Sequence, residues 1–279
     1  MSNRTLLFFC FSLLCSIPAR AFDFDFQKAL DFAKSAQQAT KTVDEQEEIE
    51  IGHGIATNLL GASPLLPDNR VQQYVNHVGR WISLHAERPD LPWQFGVLDS
   101  TDVNAFATPG GTIFITNGLL QRLNNESELA GVLAHEMVHV LRKHHLAALQ
   151  ESARMDIASE LAGEALKNKA DPAVMEKAIK AGTEVYARGL DKDDEFEADR
   201  MGIVIATRAG YDPYGLPAVL QMLDANSAQD SSFALMFKTH PAPQDRLSLI
   251  DKEMGDRFDA YAAPAQADKR FISEMTRRK

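Results

Sequence analysis

His135-Glu136-Met137-Val138-His139 is the segment whose residue types and spacing best fit chemistry. On a helix, residues four apart project from one face about a turn apart. Two imidazoles so placed can grip one zinc ion through Zn–N bonds of about 2.0–2.1 Å. Glu136, beside the first imidazole, can reach a water activated by the metal and take its proton as general base. The surrounding run is apolar at helical spacing, with Leu129, Val132, Leu133, Val138 and Leu141. Three polar residues buried there without partners would cost several kcal/mol. Gly131, one turn before His135, lets backbone or substrate come close.

A catalytic zinc takes three protein ligands and keeps one position for water. His145 would complete His-Glu-x-x-His-x-x-Gly-x-x-His, but Arg142 stands where that pattern needs Gly. On a continuing helix, six residues past His139 end about 240° around the axis. His145 then points away, and with His144 it reads as exposed polar residues near a helix C-terminus. Glu195-Phe196-Glu197-Ala198-Asp199 is the better source. Glu195 and Asp199 are four apart and share a face with Gly202 and Ala206. That suits a carboxylate ligand followed by a carboxylate that hydrogen-bonds a ligand imidazole. Glu197 points elsewhere. Alone, Asp191 to Asp199 would be a solvated helix start; joined to the histidine helix, it reads as part of a metal site.

These two helices need a scaffold. Phe26, Leu30 and Ala33 predict a helix over Phe22 to about Thr40, and the acidic opening at Asp44 predicts another to Leu60. A Pro-rich loop leads to a helix over Asn69 to Ala86. Trp93–Leu98, Val103–Thr108 and Thr112–Thr116 predict a small sheet, with Pro109-Gly110-Gly111 as a turn. The histidine helix runs from Ser127 to about Leu149, Ala-rich helical sequence follows to about Asn168, and Asp171-Pro172 opens a further helix. Asp193–Ala209, Tyr214–Ala225 and Gln244–Met254 complete the helices. Asn226 to Ser232 reads as a mobile loop, and residues 255–279 as an irregular tail.

The 279 residues allow a sizeable core, and 45% hydrophobic with 24% charged residues is ordinary for a soluble protein. Residues 1–21 read as an export signal: Arg4, an apolar run from Thr5 to Ile17, and the small-x-small pattern Ala19-Arg20-Ala21. A membrane anchor needs roughly 20 apolar residues, and lipid attachment at Cys15 is disfavoured by bulky Leu14. Cleavage removes Cys10 and Cys15, the two cysteines, which excludes disulfides and cysteine chemistry. It also removes two basic residues, taking the formal charge from -10 to -12 and arguing against nucleic-acid binding. No later stretch reads as a transmembrane helix.

The pieces from Asn104 to Gly111, Ile113-Phe114-Ile115, Gly118-Leu119-Leu120, Glu128 to Glu136, Glu195 to Asp199, Thr239-His240-Pro241 and Arg246-Leu247 occur in that order. With them the chain resembles metallopeptidase family forty-eight, which includes heat-shock and CAAX prenyl proteases. The resemblance spans roughly Asp44 to Leu249. It implies an α+β, mostly helical zincin-like (gluzincin) domain with a small β-sheet, placed at 44–254 after an N-terminal helical segment at 22–43. It implies a zinc-dependent endopeptidase with one Zn2+ per chain, Glu195 as third ligand, and Asp199 and Arg246 supporting the ligands. His240 has two roles open to it: hydrogen-bond donor to the oxyanion, or a gate occupying the open metal position. Asn104, Ala105, Phe106 and Ala107 form the edge along which a substrate would add as a strand.

The likeness is strongest to soluble, single-domain periplasmic members. Unfolded or misassembled envelope proteins are then the implied substrates, with the membrane or the outer-membrane assembly machinery as a place of association. A metal-dependent chaperone or assembly factor with weak proteolysis would share the same zinc site, and stays open. Glu136 argues against a purely structural zinc.

Overall fold

The computed structural model describes residues 43–152, 189–226, 230–262 and 266–276. The export signal, the helix read at 22–40 and the helix opening at Asp171 lie outside the described residues.

Helix α1 (Glu45–Ala62) starts where the Asp44 carboxylate accepts from the Glu47 amide at 2.9 Å, with three acidic residues in its first turn. Helix α2 (Asn69–Ser83) is capped by Asp68 and buries Val71, Tyr74, Val75, Val78 and Ile82, the stripe expected from their spacing. Three strands follow: β1 (Gln94–Leu98), β2 (Ala105–Thr108) and β3 (Thr112–Thr116). β3 is central, parallel to β1 and antiparallel to β2, in the order β1-β3-β2. The β2–β3 connection turns through Gly110 and Gly111 at φ 78° and 106°, which a side chain would strain. Among the described residues no strand pairs with the outer edge of β2.

After the short α3 (Asn117–Leu120) comes α4 (Glu126–Leu141), buried over its whole length. Its N-terminus is a reciprocal cap. Asn125 Oδ1 accepts from the Glu128 amide at 2.8 Å, while the Glu128 carboxylate accepts from the Asn124 amide at 2.7 Å. The expected single helix to Leu149 is broken. Lys143 sits at φ 59°, its ammonium 2.9 Å from Glu48, and a new helix, α5 (144–152), begins at His144. An ion pair to α1 thus holds a left-handed residue where the apolar period lapses.

Helix α6 (Lys192–Arg208) lies along α4 because Gly202 has no Cβ; one there would sit 2.9 Å from the His135 nitrogen. Gly131 serves the same purpose against α7 (Gly215–Ala225), so its smallness admits a neighbouring helix. The loop expected at Asn226–Ser232 is tied down at its end. Residues Ser231–Phe233 form a 3-10 turn capped by Asp230, and the Ser232 carbonyl accepts from the Val103 amide at 2.8 Å. Helices α8 (Ala234–Thr239) and α9 (Pro243–Met254) follow. The tail is not irregular throughout. It carries α10 (Gln266–Thr276), which buries Phe271 and sends Arg270 to Glu126 at the start of α4. The architecture is α+β and mostly helical, with one small sheet. Among the described residues no helix is long and apolar enough to cross a membrane.

Candidate metal centre

The His135 and His139 Nε2 atoms lie 3.1 Å apart. Zinc bonds of about 2.0–2.1 Å at a tetrahedral angle would separate two ligand atoms by about 3.3 Å. Glu195, projecting from α6, brings Oε2 to 3.6 Å from His135 Nε2 and Oε1 to 3.6 Å from His139 Nε2. Ligand atoms of all three residues fall within 4.8 Å of one another, and all three residues are buried. Among the described residues Glu195 Oε1 has no hydrogen-bond partner, although it is fully enclosed. An unmatched carboxylate oxygen 3.6 Å from the His139 nitrogen is costly unless a cation completes it. The donor set therefore fits a divalent metal with nitrogen and oxygen ligands.

Outward-facing atoms hold these groups. His135 Nδ1 lies 3.0 Å from Asp199 Oδ1. Asp199 is gripped by Arg246 of α9, whose Nε and second guanidinium nitrogen donate at 2.8 and 2.5 Å. His139 Nδ1 lies 3.0 Å from His144 Nδ1. His240, just after α8, places Nδ1 2.8 Å from Glu195 Oε2.

Electrostatics follow from this packing. Burial, seconded by the charge of His135, drives the His139 imidazole well below its ordinary range and keeps it neutral, as ligation requires. Burial would raise the Glu195 carboxyl, but His240, His135 and Arg246 outweigh it and hold it low. Asp199 is likewise held low, mainly by Arg246, against its own burial. Burial raises the Glu136 carboxyl, with His135 and His240 pulling the other way. Burial opposes a charge on His240, and Glu195 more than restores it.

Glu136 faces a cleft that it shares with Glu195, His240, His145, Asn104, Ala105 and Phe106. Ala107 is fully buried and does not line it. Both side-chain amide atoms of Asn104 are buried without partners among the described residues. Its backbone bonds to Thr116, so it sits one residue before β2 rather than within it.

One expectation needs correction. His144 and His145 are not exposed polar residues. His144 is 6% exposed, and burial pushes the imidazole of His145, on the cleft wall, down to about 3. The cause is the break at Lys143, which cancels the continuous helix assumed for the 240° offset. Glu197 stays outside the ligand group, as expected, and turns to α5 and the end of α4 instead. Its carboxylate lies 3.4 Å from His144 Nε2 and accepts from Arg142 Nε at 2.9 Å. No local pattern carries the signal, because the break depends on Glu48 of α1 holding Lys143.

The sequence profile of peptidase family M48 matches residues 66–254. The chain is 32% identical over 235 residues to the beta-barrel assembly-enhancing protease of Escherichia coli (strain K12), covering 80% of this chain and 48% of that protein. It is 31% identical over 251 residues to a putative beta-barrel assembly-enhancing protease of Vibrio cholerae, covering 88% and 51%. It is 27% identical over 180 residues to the mitochondrial metalloendopeptidase OMA1 of Schizosaccharomyces pombe, covering 64% and 52%. The chain spans about half the length of these curated relatives.

Proposed function

The chain belongs to peptidase family M48, and on that premise we propose that it is a zinc-dependent endopeptidase of the periplasm, acting on unfolded or misassembled envelope proteins. Its fold is the zincin-like fold of that family. The observation that carries the reading is the orphaned, fully buried Glu195 oxygen opposite His139 Nε2, with His135 Nε2 beside it and Glu136 in the same cleft.

His135, His139 and Glu195 would hold one Zn2+ per chain. Such an ion supplies Lewis acidity, lowering the pKa of a water toward about 7 and polarising a carbonyl. The remaining work falls to side chains. Glu136 takes a proton from the attacking water and returns it to the leaving amine; its burial raises its affinity for that proton. Asp199, clamped by Arg246, holds the His135 ring by its outer nitrogen. The substrate adds along β2, where Asn104 supplies an unspent amide and Ala105 and Phe106 line the cleft. Ala107 contributes through the strand's backbone. His240 either donates to the oxyanion or gates the metal. His240→Ala separates these: a donor's loss lowers the rate by roughly 10²–10³, whereas a gate's loss raises it.

The envelope substrate class is supported by the assembly-enhancing proteases among the relatives and by the export signal read at residues 1–21. Those same relatives favour a second reading, a metal-dependent assembly factor whose proteolysis is weak. The deciding experiment follows an unfolded outer-membrane protein with wild type and Glu136→Gln, each with and without a chelator. The expected outcome is cleavage lowered by about 10²–10⁴ in Glu136→Gln with metal content unchanged. Undiminished cleavage by the metal-loaded variant would sink the base assignment. Improved refolding without cleavage in both proteins would select the assembly factor.

A further inference from the structure

We infer that His144 is a positioning residue for the metal site, accepting a hydrogen bond from His139 that fixes the tautomer and orientation in which His139 presents Nε2. The inference rests on the ligand set proposed above, His135, His139 and Glu195.

The argument is a count of hydrogens. The Nδ1 atoms of His139 and His144 lie 3.0 Å apart, so one must donate and the other accept. His139 Nε2 already faces His135 Nε2 at 3.1 Å and Glu195 Oε1 at 3.6 Å. A neutral ring that uses Nε2 as a lone pair carries its hydrogen on Nδ1. His144 Nδ1 is then the acceptor, and the His144 hydrogen sits on Nε2. That atom faces two carboxylates of α6, Asp194 Oδ1 at 3.5 Å and Glu197 Oε2 at 3.4 Å. Glu197 is held by Arg142, and Arg142 by Glu87 at 2.9 Å. The line from ligand to surface thus runs from His139 through His144 to Glu197 and Arg142, with the His144 Nε2 within ion-pair distance of both carboxylates.

The two ligand imidazoles are consequently backed by different groups. His135 leans on a carboxylate, Asp199, and His139 on a second imidazole. Local structure explains how His144 reaches it. The left-handed Lys143 ends α4 and turns the next residue back over the helix, so the His144 and His139 rings meet with centroids 5.2 Å apart at 68°. His144 is 6% exposed and His139 1%, so bulk water does not substitute for either partner.

The test uses the full chain as wild type, His144→Ala, His144→Asn and His139→Ala. Zinc affinity is measured by competition with a chromogenic chelator, and the visible absorption spectrum is recorded with cobalt(II) in place of zinc. Asn carries an acceptor oxygen near the position of the imidazole Nδ1; Ala carries none. His144→Ala is expected to weaken metal binding by about 10–100-fold and to shift the cobalt bands. His144→Asn should recover most of the affinity and the wild-type bands, with circular dichroism of the metal-free proteins unchanged. Wild-type affinity and spectrum in His144→Ala, beside metal loss in His139→Ala, would overturn the inference and leave the ligand set standing. A folded His144→Asn that binds metal no better than His144→Ala, or as poorly as His139→Ala, would also overturn it. Wild-type affinity in His139→Ala would remove the ligand set, and the inference with it.

Discussion

Glu48 and Glu195 are glutamates of equal burial, both 0% exposed, with opposite hydrogen-bond accounts. Glu48 is saturated. Its Oε1 accepts from Arg88 at 3.0 Å and from the Gly110 amide at 3.3 Å, and its Oε2 meets Arg88 at 3.1 Å and Lys143 at 2.9 Å. Glu195 has one oxygen engaged by His240 and one with nothing donating to it. A buried carboxylate whose acceptor sites are filled fastens the chain to itself; one left short is kept for something from outside. Burial alone does not separate a fastener from a ligand. The donor count does.

The strongest way to break the contrast is to truncate each glutamate and measure both metal and stability. Glu195→Ala is expected to take the zinc content of dialysed protein from about one equivalent to near zero, since a catalytic site needs its third protein ligand. Its metal-free thermal transition should move little. Full retention of zinc would void the contrast. Glu48→Ala should do the reverse, retaining about one equivalent of metal, with affinity lowered no further than in His144→Ala because Lys143 loses its anchor, and losing about 2 kcal/mol in urea denaturation, the scale of a charged hydrogen-bond set. The figure is modest because the Arg88 and Lys143 side chains are 22% and 40% exposed, so water can replace part of the contact.

A smaller effect sharpens the same point through pH. Burial alone would raise the Glu48 carboxyl, but Arg88 and Lys143 outweigh it and hold it below the ordinary 4.5. A carboxyl with a lowered folded pKa stabilises the fold above pH 4.5, and the contribution fades as pH falls through the folded value. In chelator-treated protein, Glu48→Gln should therefore flatten stability against pH below about 4.5 and change little near neutrality. An acid limb as steep as wild type would show that Glu48 carries none of it.

How far the sequence was legible depends on the range of the interaction. The helical period around Leu129–Leu141 and the spacing of Glu195 and Asp199 are local patterns: α6 forms close to its expected bounds, and α4 starts where expected but ends at Leu141 rather than Leu149. The sheet was readable from its β-branched runs and the Pro-Gly-Gly turn. His144 and His145 were not. Their positions depend on Lys143 adopting a left-handed backbone, and Lys143 is held by a carboxylate on α1 that no local window contains. The tail helix escaped for a similar reason. Its buried anchor is Phe271, and its polar anchor, Arg270, finds its partner on α4.

Helix α4 is thus moored at both ends by distant segments. Arg270 and Tyr74 close on Glu126 at its start, and Glu48 closes on Lys143 just past its end. The Arg270–Glu126 contact joins residues 144 apart in sequence. Contacts of such separation form late, because the intervening chain must be ordered before they repay its closure. A polypeptide emerging from its N-terminus holds both histidines and Glu195 long before Arg270 arrives. The helix that carries both histidines is therefore pinned at its first turn only once a segment 144 residues further along has been ordered.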